Sequence, residues 1–100
     1  MYGNDALWVV IPTDGTVRPG GDSSRGIKAK FPTVRLRPGT LSATAARLDG
    51  AAPPAEVHIP DGYYTSFQAF GVTFPTPGCW QITERVADSE LQFVVRVIGR

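Results

Sequence analysis

The chain has 100 residues, a net charge of +1 and one cysteine. This length fits one domain with one core, and a single Cys79 excludes an internal disulfide. No window holds the run of about 18 apolar residues that a membrane-crossing helix needs. The 11 glycines and 9 prolines lie between short apolar runs, a distribution that favours many short strands joined by turns.

The first element in the chain is a predicted strand at Leu7–Ile11, a short apolar and β-branched run that ends at Pro12. Residues 18–26 then read Arg-Pro-Gly-Gly-Asp-Ser-Ser-Arg-Gly. This composition predicts a surface loop.

Ile27–Phe31 alternates with period two, which predicts a strand with Ile27, Ala29 and Phe31 on its inward face. Pro32 is expected to break the hydrogen-bond ladder. Val34–Leu36 either continues this strand or begins another.

The Ala-rich run Leu41–Leu48 could be helical, but its Ser and Thr content favours a strand, and Asp49-Gly50 ends it. A change of phase between Ala45 and Leu48 suggests a β-bulge. Residues 51–54 end in two prolines and predict an extended connector.

Four further segments carry the strand pattern. Glu56–Ile59 places His58 on the outward face, and Phe67–Phe74 follows after a turn. A final hairpin pairs the strand that starts at Trp80 with Leu91–Ile98. Its predicted inward residues are Trp80, Ile82, Val86, Leu91, Phe93, Val95 and Val97.

On the last strand Val94 and Ile98 alternate with this inward set. They therefore predict an apolar outer face that could support self-association through sheet packing or edge pairing. Seven or eight strands at a spacing of about ten residues predict an all-β sandwich or small barrel. We see no boundary within residues 1–100 and expect a single domain.

Catalytic groups are sparse. Most carboxylates lie in predicted turns, where Asp bonds the nearby backbone. His58 is the only histidine and Cys79 has no basic neighbour, so Cys79 is read as a small packing residue. A small hydrolase centred on His58 and Asp61 is kept as an alternative, but the chain is predicted not to be an enzyme.

No cofactor or metal site is predicted. The Pro-Gly-x-Trp turn is similar to one in cupredoxins, but a copper site needs two histidines, and this chain has one. Calcium would require clustered carboxylates, and no Asp-x-Asp-x-Asp run occurs.

Charge is unevenly distributed, because residues 18–37 hold six basic side chains and Asp22 alone as an acid. This segment could form a polyanion-binding face, although its one aromatic residue, Phe31, is predicted to point inward, and no nucleic-acid partner is expected. The alternative is ordinary solvent-facing charge. The candidate basic face consists of Arg18, Arg25, Lys28, Lys30, Arg35 and Arg37.

A second candidate surface is the loop that holds two adjacent tyrosines. Exposed tyrosines give large contact area at small entropic cost, but Tyr63 could equally be a structural tyrosine at a sheet corner. The residues of this candidate interaction loop are Asp61, Tyr63, Tyr64 and Phe67.

Several short motifs together resemble those of a group of uncharacterised bacterial secreted proteins and lipoproteins. In order they are Ala46–Pro54 with its Arg-Leu-Asp and Pro-Pro, Ile59–Tyr63 with its Asp-Gly-Tyr, Phe67-Gln68, and Phe74–Trp80 with its Phe-Pro-x-x-Gly-Cys-Trp. The resemblance covers residues 3–98. It implies an immunoglobulin-like antiparallel β-sandwich in an extracytoplasmic protein, with no established activity to transfer.

Together these observations predict a non-catalytic immunoglobulin-like binding or structural module of a bacterial envelope or secreted protein. Met1–Asp5 lacks the basic and apolar regions of a signal peptide. We therefore expect that the native signal peptide, and any lipid anchor to a membrane, is absent from this sequence. A protein partner or a second copy of the chain is the expected ligand.

Overall fold

A computed structural model describes residues 2–4, 6–12, 14–18, 26–36, 39–59 and 67–99. Within these ranges every regular element is a β-strand, and no helix is present that could cross a membrane. The strands are β1 (Tyr2–Gly3), β2 (Leu7–Val9), β3 (Thr16–Val17), β4 (Ile27–Arg35), β5 (Leu41–Arg47), β6 (Glu56–His58), β7 (Phe67–Phe74), β8 (Gly78–Val86) and β9 (Ser89–Val97).

The strands form two sheets, ordered β1-β2-β4-β7-β6 and β3-β9-β8-β5. Apart from the short β1 and β3, this order places β2, β4, β7 and β6 as strands A, B, E and D of an immunoglobulin sandwich, and β5, β8 and β9 as C, F and G. The prediction of an all-β immunoglobulin-like sandwich is confirmed. The described strands number nine rather than seven or eight, because β1 and β3 contain only two residues each.

One pairing is parallel. β3 runs alongside β9, with Arg96 N donating to Gly15 O at 2.8 Å and Ile98 N donating to Val17 O at 3.0 Å. The sequence predicts only antiparallel pairs. A two-residue strand carries no periodic signal, and its partner lies far along the chain, so nothing local indicated it.

The core lies between the two sheets and is built by alternation. The inward residues predicted for β8 and β9 are all buried, as are Ile27 and Phe31 of β4. Phe31 lies with its ring centroid 5.5 Å from both Phe70 of its own sheet and Phe93 of the opposite one. Aromatic pairs at this spacing add to the stabilisation from apolar burial.

The prediction that Pro32 breaks the ladder is wrong, because β4 continues through it to Arg35. Val10 N donates to Pro32 O at 2.8 Å, so the backbone nitrogen of Pro32 also faces the β2 side of the strand. β2 ends at Val9, one residue short of this position. The missing N–H of proline therefore costs no bond within the β4–β7 ladder.

The predicted bulge in β5 is also wrong. Pairing with β8 runs in one register from Leu41–Val86 to Arg47–Trp80. Arg47, not Leu48, takes the last inward position, and Leu48 is exposed. The phase change read from the sequence reflected the assumption that a leucine must be buried and an arginine must not.

Candidate functional surfaces

The outward face of the first sheet carries a groove with a volume of about 700 Å³. Its floor is Gly71 of β7, which lies in one cross-strand row with Lys30 of β4 and His58 of β6. The next row places Thr73 between Lys28 and Glu56. Gly71 has no side chain, so the surface is low along β7 at this point. The groove lies between β4, which carries two lysines, and the edge strand β6, which carries one acid.

The six residues of the candidate basic face are dispersed among the described part of the chain. Lys28 and Lys30 share the exposed face of β4. Arg18 follows β3 at the edge of the other sheet and forms an ion pair with Asp14 at 2.8 Å. Arg35 is in phase with the inward residues of β4 and donates to Gly39 O. Arg25 and Arg37 lie outside the described residues.

The candidate interaction loop cannot be placed in the same way. Asp61, Tyr63 and Tyr64 lie outside the described residues. Phe67 begins β7, opposite Val34. The proposal of an interaction surface at this loop stays a prediction.

The hydrolase alternative places its histidine on an exposed edge strand. His58 points outward from the three-residue β6, and Asp61 lies outside the described residues. Among the described residues no group of three His, Cys, Asp or Glu side chains lies close enough to hold a metal ion. The pairing of His58 with Asp61 stays a prediction.

A polar corner ties the end of β5 to the start of β8. Arg47 Nε donates to Asp49 Oδ1 at 2.9 Å, and the same oxygen accepts from Cys79 N at 3.1 Å. These bonds lower the pKa of Asp49, with the bond from Arg47 as the main cause. Trp80 Nε1 donates to Thr76 O at 3.1 Å, while its ring lies edge-on 5.4 Å from Phe74.

This corner brings together the Arg-Leu-Asp and Gly-Cys-Trp motifs on which the sequence resemblance rests. Each polar group in it bonds a neighbouring segment of the same chain. The two motifs therefore have a structural explanation: they connect β5 to the β7–β8 turn. This explanation does not require a ligand.

One buried acid, Glu84 on β8, was not predicted from the sequence. Its side chain is 0% exposed and its Oε1 accepts from Thr33 Oγ1 of β4 at 2.6 Å. The other carboxyl oxygen, Oε2, is buried without a hydrogen-bond partner in the described structure. The alternation Trp80, Ile82, Glu84, Val86 placed this residue on the inward face and could have revealed it.

Burial raises the pKa of Glu84 from its ordinary 4.5 to about 7, and the bond from Thr33 opposes the shift. Thr33 Oγ1 also lies 3.3 Å from Phe31 O. A protonated Glu84 can therefore donate to Thr33 while Thr33 donates to Phe31. An ionised Glu84 accepts the hydrogen bond from the Thr33 hydroxyl, and Phe31 O is then left without the bond from Thr33.

The outer face of the second sheet is mostly polar. Val94 of β9 is 49% exposed, but it lies across from Gln81 and between Gln92 and Arg96 along its strand. Ile98 is half-buried. The two residues do not form a continuous apolar patch, so packing of this face against another sheet has no support from the described residues.

No protein-family profile matches the sequence, and no curated protein matches it. Among solved structures, the fold is similar to the crystal structure of domains 4 and 5 of the S-layer protein SbsC, with a TM-score of 0.63 and 19% sequence identity. The match covers 93% of this chain and 51% of that one, so the chain spans about half the length of that structure. At this identity the likeness shows the fold.

Proposed function

We propose that the chain is a non-catalytic, extracytoplasmic immunoglobulin-like module of a bacterial envelope or secreted protein, with a structural or binding role. The observation that carries the proposal is the fold's likeness, over 93% of the chain, to domains of a surface-layer protein. The sequence motifs resemble those of bacterial secreted proteins and lipoproteins, and this supports the same compartment.

The described side chains favour the same role. Asp49 and Cys79 serve the corner between β5 and β8, Asp14 bonds Arg18 and Thr16 N, and Glu84 lies sealed between the sheets. Each of these groups has a structural use. On such a scaffold, function resides in loops, faces and edges.

The cellular location of the protein tests the proposal. The native gene, tagged at the codons for Ala87-Asp88, an exposed turn between β8 and β9, is expressed in its own host. Protease is then added to intact and to lysed cells. We expect cleavage of the tagged protein on intact cells or its recovery from the medium. Full protection until lysis, beside an envelope control that is cleaved, would refute the extracytoplasmic assignment.

A further inference from the structure

β5 is a long strand at the free edge of the second sheet. It spans seven residues and pairs only with β8 in the part of the chain that the structure describes. The other described edge strands, β1, β3 and β6, have two, two and three residues. A row of unpaired backbone groups on such an edge is a template for another strand.

The direction of the backbone groups follows from one hydrogen bond. Leu48 N donates to Cys79 O at 2.8 Å, and bonding direction alternates along a strand. Ser42, Thr44 and Ala46 therefore direct their N–H and C=O groups toward β8. Leu41, Ala43 and Ala45 direct theirs to the free edge.

The side chains along this edge leave it accessible. Residues 41–46 read Leu-Ser-Ala-Thr-Ala-Ala and include no charge and no proline, which are the usual protections of an edge strand. Residues Gly50–Pro54 line a cleft beside Ala45–Arg47. The part of the edge outside this cleft is therefore Leu41–Thr44, with Ala45 at the margin of the cleft.

We propose that β5 pairs antiparallel with β5 of a second copy across a two-fold axis, with Ala43 opposite its own counterpart. This register uses the outward-directed groups of Leu41, Ala43 and Ala45 in both copies. It places Ser42 of each copy opposite Thr44 of the other. The two four-stranded sheets then become one continuous sheet, and the inference adds a surface and a partner to the proposed module.

A second copy fits this edge because the edge is complementary to itself. In an isologous contact the same strand of both copies meets across the two-fold axis. A strand whose charges all had one sign would therefore place like charges opposite each other. Here the opposed pairs are Leu41 with Ala45, Ser42 with Thr44, and Ala43 with Ala43. The paired stretch Leu41–Ala45 buries a smaller area than the roughly 800 Å² per partner of a stable interface. The dimer of the isolated domain is therefore expected to be weak and concentration-dependent.

Two matched double variants test the register. Both carry Ser42→Glu, which lies beside Arg85 of β8 in the same cross-strand row. In one, Thr44→Lys places opposite charges across the two-fold axis, and in the other, Thr44→Glu places like charges there. Residues 42 and 44 are exposed, so neither variant disturbs the core.

Sedimentation equilibrium over a wide concentration range measures the association constant. We expect a weak dimer for the wild-type chain, and association of the Glu/Lys variant at least about tenfold stronger than that of the Glu/Glu variant, since cross-strand charge pairs contribute up to about 1 kcal/mol each. A register with Thr44 opposite Thr44 would weaken both variants alike and would overturn the proposal, as would a wild-type chain that stays monomeric.

A monomer in this experiment would not argue against the proposed extracytoplasmic location, because the location is tested separately by protease access. Protection of the chain inside intact cells would leave a measured dimer standing. The two failures are therefore distinguishable.

Discussion

Thr33 and Glu84 join the two sheets through a hydrogen bond of 2.6 Å between side chains that are both 0% exposed. They lie on β4 and β8, the strands that correspond to B and F of an immunoglobulin sandwich. In antibody domains those two strands carry the inter-sheet disulfide. Here a hydrogen-bonded Thr–Glu pair occupies the same two strands, and the protonation state of Glu84 links stability to pH.

Glu84→Gln should flatten the dependence of stability on pH. The carboxyl titrates near 4.5 when unfolded and near 7 when folded, so between these values the folded state holds the extra proton and stability falls as pH rises. The shift corresponds to a loss of about 3 kcal/mol by pH 8. The glutamine variant, which stays neutral, should be more stable than the wild type at pH 8 by a similar amount.

Urea unfolding from pH 4.5 to pH 8.5 measures this difference. This range lies above the lowered pKa values of Asp14 and Asp49, whose contributions are lost only in more acid solution. Parallel pH profiles for the two proteins would show that Glu84 does not titrate between the sheets.

Thr33→Val should destabilise the wild-type chain by about 1–3 kcal/mol, because it leaves the buried carboxyl of Glu84 without its partner. In a Glu84→Leu background the same substitution should cost much less, since no buried polar group is then orphaned. A double-mutant cycle measures the coupling between the two positions. A coupling free energy near zero would contradict the polar bridge.

Gly78→Ala should weaken the corner between β5 and β8. Gly78 has a φ of 141°, and an added Cβ would lie 2.5 Å from Arg47 Nε and 2.8 Å from Asp49 Oδ1. We expect a loss of about 1–3 kcal/mol in the free energy of unfolding. Gly50→Ala is the control, because its Cβ would approach no closer than 3.4 Å to Arg47; equal losses in the two variants would exclude this explanation.

The chain should pass through a heparin column at physiological salt. Lys28 and Lys30 share one face, but Glu56 lies in the row of Lys28, and Arg18 is paired with Asp14. A few partly compensated charges bind polyanions weakly. Salt-sensitive retention that Lys28→Ala/Lys30→Ala abolishes would instead favour the polyanion-binding alternative.

Alternation predicted the core of β9 and most of β8 correctly, because a buried face imposes period two on every strand residue. The errors arose where residue type was weighed above phase. Glu84 and Arg35 follow the inward phase of their strands although each carries an ionisable group. Phase was the better guide at both positions.

Other features depend on partners that a local pattern cannot show. Pro32 fits within β4 because β2 ends beside it. Thr16–Val17 becomes a strand only through β9. The free edge of β5 likewise depends on which strands pair, so it was not visible in a run of small residues.

Disulfide trapping tests the proposed pairing of β5 with β5 of a second copy. One chain carries Ser42→Cys, another carries Thr44→Cys, and both carry Cys79→Ser. Opposed residues that exchange no backbone bonds have Cα atoms about 4.5 Å apart, within disulfide reach. When the chains are mixed and mildly oxidised, we predict that the mixed dimer, identified by mass, forms well above its statistical share. A statistical mixture of the three dimers, or no dimer, would contradict antiparallel pairing with Ala43 opposite its own counterpart.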